Sequence, residues 1–409
     1  MNIKFDYLKI RTFLVFSILF ELPIFERLND TVDKIFMILH VFVILYCFFE
    51  IIILRNTKKI NVFFVPILIF ILWAGCVICL FTNGSIMAFL KESIYPIILS
   101  CVLCYCIFYK NVKKTFQALA QYYYLTIWLN FVCMIICPNG IIISDVGSIA
   151  PRANWLFGSK NNIVVILPII LFVISCNKIL NVKTIIQQIF YYLTLVVLSI
   201  SFSSMGDTRF ELLSGSTTAI IMIVMYFIII QAITVLRSFG HNIFLNLSMI
   251  SIFSFIIMLF VVEISQLQGG FISDLVSMTG KNTGFSGRYS VWKSALNDFF
   301  TSPVYGIGMK SNIYRTYENA YSTNTSIYSF WLEFLVRYGI VGVLIFLNIC
   351  FLVDKFKSNG YDRINTTLCV SYFMLMIGGL MYPIGLKYIF FMLGAYIMWL
   401  CYGFNEVKI

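Results

Sequence analysis

A set of basic side chains, Arg152, Lys160, Arg209, Arg288, Lys293, Lys310 and Arg315, stands in polar stretches between long apolar runs. A guanidinium grips phosphate through a planar two-pronged fork, and a lysine adds a compact positive charge. The same stretches hold the carboxylates Asp145, Asp207, Glu211, Asp274, Asp298, Glu318 and Glu333. A carboxylate partly desolvated near a membrane gains basicity and can serve in proton transfer. Glu318 and Glu333 are preferred because they stand at the mouth of an apolar run, and each could equally pair with a neighbouring Arg or Lys. These types suit an anionic, phosphate-bearing ligand. Scattered loop charge is the plain alternative.

Most of these residues must be positioned by the polar interval 264–326 and its flanks. It opens its helical part with Gly287-Arg288-Tyr289-Ser290-Val291-Trp292-Lys293 and closes it with Ser302-Pro303-Val304-Tyr305-Gly306-Ile307-Gly308. Ser286 can cap a helix whose apolar face is Trp292, Ala295, Leu296 and Phe299, at i, i+3, i+4 and i+7, and Pro303 ends it. Arg288 falls one turn before Trp292 on that face, near the positive end of the helix dipole. An interfacial helix with a snorkelling arginine would show the same pattern. Gly306-Ile307-Gly308 reads as a turn. Trp155, Tyr289, Trp292, Tyr305, Tyr314, Tyr317 and Tyr321 could stack on sugar rings, although aromatics also form interfacial belts.

The rest of the chain reads as membrane. Of 409 residues, 60% are hydrophobic and 11% charged, against about 25% charged in soluble domains. Apolar runs suggest about twelve transmembrane helices, near 10–26, 33–54, 61–82, 92–109, 116–137, 162–177, 185–202, 211–236, 243–263, 327–353, 366–382 and 388–404. The expected fold is therefore all-α and polytopic. It comprises helices 1–9 with short loops over 1–263, a catalytic or substrate loop over 264–326, and helices 10–12 with a short tail over 327–409. Lys and Arg crowd every second short loop, at Arg55/Lys58/Lys59, Lys110/Lys113/Lys114, Lys178/Lys183 and Lys355/Lys357/Arg363. That bias puts both termini in the cytoplasm and the long loop outside. The net charge of +11 then reads as cytoplasmic loops meeting anionic lipid, with no nucleic-acid partner. Arg152, Lys160 and Arg209 oppose the bias, because their loops are short and outside. The twelve cysteines lie mostly in or beside apolar runs, so buried thiols are expected, with neither a metal site nor a disulfide framework.

The order Gly-Arg-x-x-x-Trp-x-x-Ala-Leu, then Pro-x-x-Gly-x-Gly, then Leu332-Glu333 through Arg337-Tyr338-Gly339-Ile340-Val341-Gly342 resembles the O-antigen ligase and Wzy polysaccharide-polymerase superfamily. Two further stretches resemble it as well. One runs from Arg152 through Lys160, Asn161 and Asn162 into a helix; the other runs from Ser203 to Arg209. The likeness covers roughly residues 150 to 345. It implies a metal-independent membrane glycosyltransferase that needs no cofactor. Such an enzyme moves glycan from undecaprenyl diphosphate to a sugar hydroxyl outside the bacterial plasma membrane.

By that resemblance Arg288 and Arg209 would hold the diphosphate. On position rather than resemblance, Glu333 or Glu318 would act as base, and Arg152, Lys160, Asn161, Tyr289, Trp292, Lys293, Arg315 and Tyr328 are the substrate-binding candidates. Many members carry a histidine where Tyr328 stands. The histidines here are His40, which reads as a packed intramembrane residue, and His241, in an expected cytoplasmic loop. The missing histidine leans toward polymerase over ligase. A lipid-linked oligosaccharide flippase or another transporter is the alternative of a different class. A flippase and a chain-length regulator are expected partners, beside the lipid-linked oligosaccharide and membrane lipid.

Overall fold

A computed structural model describes residues 6–19, 22–25, 30–54, 61–82, 86–98, 100, 104, 111–146, 149–159, 162–206, 209, 210, 212, 218–238, 246–266, 288–308, 327, 329–355, 363–380 and 384–400. Among the described residues, helices form mostly where the chain runs apolar. They are α1 (Tyr7–Leu19), α2 (Asp30–Leu54), α3 (Asn61–Gly75), α4 (Ile86–Phe89), α5 (Val112–Ile136), α6 (Ile163–Asn181), α7 (Ile185–Ser203), α8 (Thr218–Ser238), α9 (Leu247–Gln266), α10 (Arg288–Thr301), α11 (Phe330–Lys355), α12 (Arg363–Gly378) and α13 (Leu386–Met398). α3 and α4 each run on into a π-helical turn, Cys76–Phe81 and Leu90–Ile94.

Among the described residues, five helical stretches are long and apolar enough to cross a membrane, namely Val112–Ile136, Ile163–Asn181, Ile185–Ser203, Ala219–Leu236 and Phe330–Lys355, the last of them interrupted at Gly339. Shorter apolar helices are Lys34–Cys47, Ile67–Phe81, Leu247–Val262 and Leu386–Met398. The protein is thus a mostly helical membrane protein, and among the described residues the expected count of twelve spans is not confirmed. The all-α expectation meets one small departure. The β-branched run Ile141-Ile142-Ile143 favours an extended chain, and β1 (Ile142–Val146) pairs antiparallel with β2 (Ile149–Asn154), Ser144 opposite Arg152.

α6 is the axis of the bundle. Every residue from Ile163 to Asn177 is buried, because α5, α7, α8, α12 and α13 all pack on it. A helix apolar on all sides can be shielded only by protein or lipid, and here protein does most of it. Its partner α12 runs antiparallel, with Gly378 against Val164. Helix ends are closed locally. The Asn111 side chain accepts from the Lys114 amide at 2.8 Å, and Thr184 and Gln187 form a capping box.

Contacts sort many of the helix ends into two sets. At one end Pro23 lies against Gly158, the Phe210 amide donates to the Pro138 carbonyl at 2.5 Å, and the Phe330 amide donates to the Gly379 carbonyl at 2.7 Å. At the other end the Asn181 amide side chain donates to the Lys113 carbonyl at 3.1 Å. There, too, Lys114 pairs with Asp6 at 3.1 Å. Asp354 closes α9 at that end of α11, accepting from the Leu247 and Ser248 amides at 2.9 and 2.8 Å. The described cysteines carry free thiols.

Candidate functional site

The expected tenth span is the element that departs most from a straight helix. At Gly339 the backbone adopts φ 67° and ψ −175°, which breaks α11 into two arms, residues 330–338 and 340–355. This corner of backbone space is open essentially to glycine alone. Phe346 of the second arm packs on Phe330, Trp331 and Phe334 of the first, with ring centroids 6.2, 5.7 and 5.4 Å apart. In a straight helix Phe330 and Phe346 would stand about 24 Å apart at 1.5 Å per residue. The two arms therefore fold back on each other around Gly339.

A helix broken in an apolar setting exposes backbone groups that must find partners. The Pro-x-x-Gly-x-Gly stretch supplies them. The Ile307 and Gly308 amides donate to the Val336 and Arg337 carbonyls at 2.9 and 3.1 Å. In return the Ile340 and Val341 amides donate to the Pro303 and Val304 carbonyls at 3.0 and 3.2 Å. A further carbonyl at the break, that of Tyr338, accepts from the Trp73 indole at 3.0 Å. The Tyr338 hydroxyl shares a 2.9 Å hydrogen bond with Ser93 in the second π turn. Thr82, just after the first π turn, abuts Gly308. Such turns are frequent at functional sites, and both of these serve the break.

Beside the break, on the first arm, Glu333 and Arg337 form a salt bridge of 2.6 Å one turn apart. Their side chains are 19% and 17% exposed, so solvent screens them less than a surface pair. Both line a cavity of about 140 Å³ with Phe330, Phe334, Tyr338, Ile384, Gly385 and Leu386. The first arm that carries them is immobilised from several sides. Phe70 stacks on Phe334 at 5.5 Å, and the Trp331 indole donates to Ser254 at 2.9 Å.

α10 begins at Arg288, close to the expected start, and Trp292, Ala295 and Phe299 are buried as its periodicity requires. Its apolar face packs on α11 and α9, so the protein itself covers that face. Trp292 is 1% exposed and its indole donates to the Ile327 carbonyl at 2.9 Å. As a sugar platform it offers no open face, because packing has taken both the ring and the donor. Arg288 and Tyr289 stand in the first turn and Lys293 is exposed on the far side. Arg209 is exposed on a loop where its carbonyl accepts from the Gly206 amide at 3.1 Å. The next residue, Phe210, ties this loop to Pro138, before the hairpin that carries Arg152. The candidates Arg209 and Arg152 thus belong to one loop cluster. Lys160, Asn161, Arg315, Glu318 and Tyr328 lie outside the described residues.

His40 is packed as expected. It is 5% exposed, its Nε2 donates to the Ile18 carbonyl at 2.6 Å, and its Nδ1 is bonded to the Tyr95 hydroxyl. Among the described residues no group of three or more His, Cys, Asp and Glu side chains gathers as metal ligands. Arg337 was not singled out from the sequence as a site residue, although its i, i+4 spacing from Glu333 marks an ion pair on a helix. Trp73 had no local signal at all, since its role depends on a residue far along the chain.

Residues 210–347 match the family model described as O-antigen ligase. The matched segment starts beside Arg209, includes α10 and the Gly306–Gly339 contact, and ends within the second arm of α11. The resemblance read from the sequence holds over that segment of a membrane protein, which is similar to the O-antigen ligase family. No curated protein and no solved structure matches the chain.

Proposed function

We propose that the protein is a polymerase of bacterial surface polysaccharide. It joins lipid-linked repeat units by moving glycan from undecaprenyl diphosphate to the non-reducing sugar of a second unit. The family match over 210–347 supports glycosyl transfer, over the segment where a broken helix, its backbone clamp and a cavity with a charged pair come together, and Tyr328, at the place of the ligase-type histidine, leans it to polymerase. Arg288 and Arg209 hold the diphosphate as preorganised positive charge, which makes a divalent metal unnecessary. Arg152, Lys160, Asn161, Tyr289, Lys293, Arg315 and Tyr328 contribute to substrate binding, and Glu333 or Glu318 takes the proton of the attacking hydroxyl. The end that bears Pro23, the hairpin and Phe210 faces out of the plasma membrane, and both termini face in. A flippase and a chain-length regulator work beside it.

The family description itself favours a second reading, an O-antigen-type ligase. Arg288→Ala and Arg209→Ala in the native host separate the readings. Surface glycan cut to single repeat units indicates polymerase, whereas full-length polymer retained on the lipid carrier indicates ligase. Loss of repeat units from the outer leaflet indicates a flippase. Normal glycan at normal protein level removes both arginines from the site.

A further inference from the structure

We propose that Glu333 and Arg337 form an exchangeable latch, in which an arriving diphosphate takes Arg337 from Glu333 and the released carboxylate accepts the proton of the attacking sugar hydroxyl. The inference rests on the glycosyl-transfer reading above and adds how the donor would control that site.

The pair is closed at 2.6 Å and stands on the wall of a cavity. An ion pair of this exposure is reachable from the cavity yet little screened. The backbone beneath it is held by Phe70, Trp73 and Ser254 through Phe334, Tyr338 and Trp331. The charged pair lines the cavity above this fixed backbone. A guanidinium stays protonated at any working pH and presents two parallel donors. A diphosphate carries more charge than one carboxylate, and Coulomb attraction scales with that charge. Arg337 therefore prefers the donor once it arrives. Gly385, exposed and without a side chain, lines the same cavity.

The step balances. The acceptor hydroxyl oxygen bonds to the anomeric carbon of the donor sugar, and the bond from that carbon to the diphosphate oxygen breaks. The electron pair leaves on the diphosphate, where Arg337 holds it, and the hydroxyl proton passes to Glu333. Without donor, Arg337 occupies the carboxylate and proton abstraction is suppressed.

The test uses the full chain in lipid nanodiscs, with undecaprenyl diphosphate as binding probe and the host's lipid-linked repeat unit as substrate. Glu333→Gln lowers kcat by roughly 100- to 10,000-fold, the span of a lost general base, and binds undecaprenyl diphosphate more tightly than wild type. Arg337→Lys and Arg337→Ala raise the KM for donor by roughly 10- to 100-fold, the worth of a charge-assisted hydrogen bond. The charge-swapped double variant Glu333→Arg with Arg337→Glu rebuilds an ion pair and the fold but not transfer. Activity restored by the swap would show a structural bridge and overturn the latch, as would unchanged kcat in Glu333→Gln. A folded wild type that transfers nothing would instead sink the glycosyl-transfer reading, and the latch with it.

Discussion

Gly306 and Gly339 meet backbone to backbone, so that a Cβ built on Gly339 would stand 2.7 Å from the Gly306 nitrogen and 2.2 Å from the Val304 carbonyl oxygen. Both carry positive φ, 77° and 67°. Two glycines distant in sequence are therefore required by one contact, the clamp that closes the break in α11. Gly339→Ala or Gly306→Ala combines dihedral strain of about 1–3 kcal/mol with a backbone clash. Either variant is expected to lower the melting temperature in detergent clearly, whereas Gly385→Ala, whose Cβ would meet nothing nearer than 3.7 Å, leaves it nearly unchanged.

Trp73 completes the same clamp from α3. Trp73→Phe keeps a ring of similar shape but removes the indole donor at 3.0 Å from the Tyr338 carbonyl. A buried carbonyl left without a partner costs about 1–3 kcal/mol. The expected result is a lowered melting temperature, with faster amide exchange at Ile307, Gly308, Ile340 and Val341.

Asp354 ties α11 to the start of α9 through the Leu247 and Ser248 amides and the Ser248 hydroxyl, the last at 2.6 Å. Asp354→Ala removes a helix cap and is expected to cost about 0.5–2 kcal/mol. Hydrogen exchange at Leu247 and Ser248 should rise selectively in that variant. Asp354→Asn, which keeps an acceptor, should fall between it and wild type.

Asp6 is held below the ordinary aspartate range, first by its hydrogen bond to Lys114 and then by the nearby charges of Lys114 and Lys9, with burial opposing them. A lowered folded value means the tie contributes above the unfolded aspartate value. It fades as pH falls from there through the folded value, in the acid range. Carbon-13 NMR of labelled aspartate should show Asp6 titrating below a free aspartate, and Lys114→Met should return it upward. An Asp6 that titrates normally in wild type would refute the tie.

Much was legible in the chain because burial repeats with the period of a helix. Trp292, Ala295 and Phe299 mark the inner face of α10, and the structure buries all three. Membrane character and the family likeness followed from composition and from the order of the glycine, arginine and tryptophan motifs. The hairpin at Ile142–Asn154 was missed because its strands are short and isolated, with little hydrophobic alternation to read.

By itself, then, the amino-acid sequence determined that this is a helical membrane protein with an O-antigen ligase-like segment, since hydropathy and short motifs are local properties. Only the tertiary structure decided that the run from Phe330 to Lys355 breaks at Gly339, that Gly306 and Trp73 satisfy the broken backbone, and that Glu333 is already engaged by Arg337 on a cavity wall. The clamp joins residues far apart in the chain, where no periodicity reaches. The engagement of Glu333 depends on which neighbour, substrate or side chain stands within hydrogen-bond distance.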